Sequence, residues 1–169
     1  MISFKDYIEN FIGSLFPTAD FEDGESDYGQ AYRYFESLKG SFNWEPQYHQ
    51  EVVSVIYNGI TRIKETIKQK GGRLKTSPFF GYISIARIPT NKIVDRGDMR
   101  YGSEELASKI QQHFDLVPVL IAEAGGVFHL QDGHHRLRAY QMMQQPVLSF
   151  VIGVTPTNDP SMFGKLVFK

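Results

Sequence analysis

The sequence predicts an α+β protein: a helical amino-terminal segment over residues 1–72, then a domain of short strands and helices over residues 73–169. Three observations predict it. Before the Gly71-Gly72 pair, apolar residues recur at helical spacing. After it, apolar runs shorten to strand length, and Gly, Pro or charged turns separate them. Helical spacing then returns in two short stretches, 104–114 and 137–143.

The elements follow in order. Phe4, Ile8, Phe11, Ile12 and Leu15 predict a helix over 2–16, which Pro17 ends. The acidic run Asp20–Asp27 is a loop. Tyr28, Ala31, Tyr32, Phe35 and Leu38 predict a second helix over 27–38, its aromatics in the core. Gly40 to Pro46 connects, with Trp44 as a packing anchor. A long helix spans Gln47 to Lys70, with Val52, Val53, Ile56, Ile60, Ile63 and Ile67 as its stripe. Gly59 within it costs about 1 kcal/mol against Ala and allows a bend. Gly71-Gly72 stops it, with Lys68 and Lys70 at the negative end of its dipole. No chemical motif falls in this helical segment.

Phe79 to Ile88 reads as a strand, Pro89–Lys92 as a turn and Ile93-Val94 as a short strand. A charged loop, Asp95–Arg100, precedes Ser103, which has the chemistry of a helix N-cap. Leu106, Ala107, Ile110 and Phe114 share a face, so 104–114 is a helix. Val117–Ala122 and Val127–Leu130 are strands about a Gly125-Gly126 turn, which makes a hairpin. The turn Asp132–Arg136 opens a helix that runs to about Gln144, before Pro146. Val147–Val154 is a strand, and Leu166–Phe168 an edge strand.

Bulk properties exclude several classes. The net charge of -1 gives no global attraction to nucleic acid. A basic run, Arg62 to Lys75, reads as the solvated end of a helix, with a phosphate-backbone surface as the sharper alternative. With no cysteine, disulfides, thiolate metal sites and cysteine nucleophiles are excluded. No apolar run reaches membrane-spanning length, and Met1–Asp6 makes a poor signal peptide. A cytoplasmic location without membrane contact is the expectation.

The chemistry concentrates at Gln131-Asp132-Gly133-His134-His135-Arg136-Leu137-Arg138-Ala139-Tyr140. A strand enters it and a helix leaves it. Free N–H groups and the positive dipole end at a helix start attract anions. Arg136 adds a planar fork of donors suited to phosphate. A competing reading gathers Asp132, His134, His135 and His129 around a transition metal. Adjacent histidines on a helix diverge by about 100° and grip one ion poorly without other partners.

The order of strand, loop, helix, hairpin, turn and helix over residues 79–154 resembles the ParB/sulfiredoxin superfamily, of the ParB-like nuclease type. Three blocks carry the resemblance: Ile88-Pro89-Thr90-Asn91-Lys92-Ile93, Arg100-Tyr101-Gly102-Ser103-Glu104-Glu105-Leu106-Ala107, and Asp132-Gly133-His134-His135-Arg136-Leu137-Arg138-Ala139. The last is the most specific. The resemblance implies an α+β fold with a small mixed sheet flanked by helices. It also implies that the third block binds nucleotide phosphates at a helix start. Sulfiredoxins place a Cys where His134 stands, so their activity is excluded here. Partition proteins place a Glu there and carry further domains after the fold. The free-serine kinase branch has the closest box, and its catalytic carboxylate lies near the first loop, where Asp95 and Asp98 stand here.

The expected site follows. Gly133, His135, Arg136 and Arg100 bind phosphate or nucleotide. Asp132, His134 and Asp98 carry catalysis. Asp132 holds Mg²⁺ against a nucleoside phosphate. Plainer roles stand beside these: Asp132 as a helix cap, Gly133 as a positive-φ residue, His135 as a packed or capping histidine, His134 as idle, Arg136 in a salt bridge to Asp98, Glu104 or Glu105. The functional expectation is a protein that binds nucleotide or nucleic-acid phosphate. Its catalytic form is a Mg²⁺-dependent phosphotransferase or nuclease. The alternative is a non-catalytic nucleotide, DNA or protein-interaction module whose N-terminal helices bind a protein partner.

Overall fold

The computed structural model describes residues 26–71, 79–97, 104–156 and 166–168. The expected first helix, most of the acidic run, and Asp98, Arg100 and Ser103 lie outside the described residues.

Helix α1 spans Asp27–Leu38, and the Ser26 side chain caps it by accepting from Gly29 N–H at 3.1 Å. Asp27 therefore belongs to the helix and not to the acidic loop. The buried face of α1 is Ala31, Tyr34, Phe35 and Leu38. Tyr28 and Tyr32, expected in the core, are 45% and 48% exposed. Tyr34 replaces them because its ring packs against Phe150 at 6.0 Å and its phenol finds a backbone partner at Ile85. Helix α2 spans His49–Gly71, entered through a tight turn at Pro46–Tyr48. It is continuous through Gly59, where the glycine has a packing reason. A Cβ there would crowd Ile152, Ile83 and Leu120 at 3.1–3.3 Å, so the missing side chain lets the helix lie close on the sheet.

Six strands follow: β1 (Phe79–Ile88), β2 (Ile93–Val94), β3 (Val119–Ala124), β4 (Val127–Asp132), β5 (Val147–Pro156) and β6 (Leu166–Phe168). Helix α3 (Glu104–Gln111) precedes β3, and helix α4 (His134–Met142) joins β4 to β5. The sheet is mixed, in the order β2-β4-β3-β5-β1-β6. β1 pairs antiparallel with β5 and β6, β3 pairs parallel with β5, and β2 parallel with β4. The fold is thus α+β, a small mixed sheet flanked by helices, as expected.

Several boundaries differ from expectation, two of them for identifiable local reasons. β3 starts at Val119 and not Val117, because Pro118 has no N–H for the ladder. α3 stops at Gln111, and Phe114 lies outside it. His113 takes a left-handed φ of 67° and Phe114 N–H returns to Lys109 C=O, a helix-ending motif. The β3–β4 hairpin turns through Gly125 and Gly126, both at positive φ, as a two-residue loop requires.

The layers are legible from single contacts. Gly59 of α2 sits over Leu120, whereas Gly133, at the start of α4, sits against Val119. Neighbouring residues of a strand point to opposite faces, so α2 and α4 cover opposite faces of the sheet. Ile56, Ile60 and Ile63 of α2 share one hydrophobic core with Ile83, Leu120 and Phe150. The helical segment is also clasped to the sheet by polar bonds. Trp44 Nε1 donates to Leu116 C=O at 3.1 Å, and Asn43 N–H donates to Asp115 Oδ2 at 2.8 Å.

Candidate functional site

Strand β4 delivers the chain to the site through a bulge. Leu120 pairs with Asp132, but Ile121 pairs with Leu130, so Gln131 is extra and the strand bends where it meets α4. Arg62 of α2 holds the extra residue, donating to Gln131 Oε1 at 2.7 Å. The expected five-residue turn is in fact one residue long. Gly133, at φ 104° and ψ 35°, turns the strand directly into α4. His134, His135 and Arg136 therefore form the first helical turn. A Cβ on Gly133 would stand 2.8 Å from Val119 Cγ1 and 2.8 Å from Arg136 Nη2. Both the left-handed backbone and the close packing require glycine.

No side chain caps α4, and Asp132 in particular does not. Leu137 N–H bonds to Gly133 C=O at 2.9 Å. Among the described residues, nothing accepts from the amides of His134, His135 and Arg136. This is the donor-rich start expected of an anion site.

Arg136 is mostly enclosed, its side chain 16% exposed. Nη1 donates to Val117 C=O at 3.2 Å, and Nη2 lies 3.5 Å from Asp132 Oδ2. The carboxylate facing it is thus Asp132, four residues earlier at the end of β4, and not Glu104 or Glu105. Burial lowers the guanidinium's pKa below its ordinary value, while the charges of Asp132 and Glu51 work against that. It remains a fixed cation, since arginine titrates far above neutrality.

His134 leans on the loop that follows β2. Its Nδ1 lies 2.9 Å from Asp95 Oδ1, within ion-pair distance but without the alignment of a hydrogen bond. The same oxygen accepts from Gly97 N–H at 2.8 Å. Asp95 is therefore the first-loop carboxylate that meets this corner; Asp98 and Arg100 lie outside the described residues. His135 is exposed, and Arg138 points away to Gln141 at 3.3 Å. Among the described residues, no three of His, Cys, Asp and Glu gather as a metal site, so the transition-metal reading has no ligand set. Mg²⁺ makes a smaller demand. It is commonly held by one or two carboxylates together with substrate phosphates, and Asp132, 59% exposed, is a carboxylate that could serve in that way.

A cleft of about 390 Å³ opens beside Arg136 and Asp132. One wall is α2, with Glu51, Ser54, Val55 and Asn58. The other includes Leu106 and Lys109 of α3, and Leu116 and Val117 lie at the approach to β3. Lys109 is occupied, 3.2 Å from Glu45 and 2.5 Å from the Tyr48 hydroxyl. Asp115 is occupied by Arg87 at 2.8 Å.

No family model and no curated protein matches the chain. Among solved structures it is similar to sulfiredoxin from Arabidopsis thaliana, at 26% identity over 40% of this chain and 81% of that one, with a TM-score of 0.34.

The α2 wall has no counterpart in the sequence reading. Positions 51, 54, 55 and 58 span about two turns on one side of a helix. In sequence this polar edge beside an apolar stripe is indistinguishable from a solvated one. Only the fold shows that it faces a cleft. Among the described residues, no helix is long and apolar enough to cross a membrane.

Proposed function

We propose that the chain binds the phosphate of a nucleotide or of a nucleic acid at the corner between β4 and α4. One observation carries the reading: Gly133 turns the chain so sharply that α4 starts with its first amides unclaimed among the described residues, beside a half-buried arginine and an open cleft. The likeness of Asp132–Ala139 to the ParB/sulfiredoxin box supports the same ligand. Phosphate oxygens would accept from the amides of His134, His135 and Arg136. The Arg136 guanidinium supplies positive field from below, and its long contact to Asp132 is the one a ligand would displace.

In the catalytic form, a nuclease or phosphotransferase, Asp132 takes the proton of an attacking water or hydroxyl as that oxygen bonds to phosphorus and the bond from phosphorus to the leaving oxygen breaks, the electron pair staying on the leaving oxygen. His134, braced by Asp95, contacts the reacting group. Alternatively, Asp132 would hold Mg²⁺, which would neutralise phosphate charge, in place of acting as the base. In the non-catalytic form the same corner binds without turnover. Thiol chemistry of the sulfiredoxin kind has no residue to perform it.

The test is a thermal-shift screen of nucleoside di- and triphosphates with and without Mg²⁺. Ligand at 100 times its Kd stabilises by about 2.7 kcal/mol, which for a chain of this size is a rise of roughly 5–10 °C. Arg136→Ala should lose that rise. An unmoved wild type across the whole panel would end the proposal. Product that forms with wild type and not with Asp132→Ala selects the catalytic form.

A further inference from the structure

We infer that the cleft between α2 and α3 is the base-binding half of the same site, and that it takes a guanine base whose N–H edge faces Glu51. The inference rests on the phosphate reading for its anchor, but its own support is the cleft. At about 390 Å³ it falls within the range of roughly 300–1,000 Å³ typical of small-molecule sites. Its charge sets the ligand's direction. Glu45, Glu51, Asp115 and Asp132 line it against Lys109 and Arg136 alone. Polyphosphate would be repelled from that interior and would remain at the α4 corner, where the amides are. A neutral group that donates hydrogen bonds is favoured inside.

Two of those carboxylates are spoken for, Glu45 by Lys109 and Asp115 by Arg87. Asp132 faces Arg136 at the mouth. Glu51 is the acceptor left over: it is exposed, among the described residues it has no hydrogen-bond or ion-pair partner, and it lines the same cleft as Arg136. An ionised carboxylate accepts and cannot donate. Two parallel N–H donors on one edge are its best match, and among the common bases guanine presents them. Asn58 lies two turns along the same wall and can both donate and accept, which suits the remaining polar atoms of a purine. Val55, Leu116 and Val117 supply the apolar surface for the ring. The α2 helix thus enters the site although it carries no recognisable motif.

The test is calorimetric titration of the full chain with guanosine, inosine and adenosine triphosphates and with inorganic tripolyphosphate. Inosine lacks the 2-amino donor. Guanosine triphosphate should bind tightest, by about tenfold or more over the others, as a bidentate base contact gives. Glu51→Gln should erase that preference while leaving tripolyphosphate affinity unchanged or improved, and Asn58→Ala should weaken nucleotides but not tripolyphosphate. Equal affinity for all four ligands, a preference for another base, or a guanosine preference that survives Glu51→Gln overturns the inference and leaves the phosphate reading intact. Failure of tripolyphosphate and nucleotides alike overturns both.

Discussion

Replacing Gly133 by alanine isolates the backbone feature that creates the site. At φ 104° an L-residue is strained by about 1–3 kcal/mol. The new methyl would also stand 2.8 Å from Val119 Cγ1 and 3.0 Å from Val119 Cβ. Val119 is fully buried in a central strand and cannot retreat, whereas the nearby Arg136 Nη2 is the end of a flexible side chain and can. Overpacking of that kind adds about 1–3 kcal/mol. The sum, about 2–6 kcal/mol, is a large part of a domain's stability of about 5–15 kcal/mol. At about 2–4 °C per kcal/mol it lowers Tm by roughly 5–20 °C. Gly125→Ala is the matched control. Its φ of 58° lies in the ordinary left-handed well and its Cβ would meet nothing within 4 Å, so it should cost only about 1–2 kcal/mol. Circular-dichroism melts of the two variants beside wild type decide the matter. If Gly133→Ala melts no lower than Gly125→Ala, the packing assigned to this corner is wrong.

Other consequences are simpler. Gly81→Ala should destabilise by about 1–3 kcal/mol or more, because a Cβ there overlaps Ile63 of α2; a denaturant midpoint equal to wild type would contradict the packing of α2 on β1. Burial raises the phenols of Tyr34 and Tyr140 above their ordinary range. The folded state therefore keeps protons that the unfolded chain releases above about pH 10, so stability should fall as pH rises past that value, by up to about 1.4 kcal/mol per unit per phenol. Tyr140→Phe should flatten that alkaline loss, and an unchanged slope between pH 9.5 and 11, roughly the window in which phenols of the unfolded chain titrate, would count against the burial argument.

Much of the fold was readable because the core is ordinary. The limits of α1 and β1 and the existence of the Gly125-Gly126 hairpin follow from apolar spacing and turn chemistry alone, whereas the bulge at Gln131 does not. The α2 stripe, Val52 through Ile63, is buried as its spacing demands. What failed did so for tertiary reasons. Tyr28 and Tyr32 have core composition but are about half exposed, Tyr28 meeting the outer residues Gln50 and Tyr57 of α2, and Tyr34 is buried because a partner waits for its hydroxyl. The corner itself was legible as a Gly-opened helix start. Its neighbours were not. Asp95 beside His134, and Glu51 on the same cleft as Arg136, come from elements distant in sequence, and no local pattern announces such meetings.

The central claim concerns backbone amides, so it is best tested on them. Titration of ¹⁵N-labelled protein with a nucleoside triphosphate, followed by amide chemical shifts, should move His134, His135 and Arg136 most, with Gly133 beside them. Shifts confined to other parts of the chain, or saturation without any change at those three amides, would show that the phosphate does not sit where α4 begins.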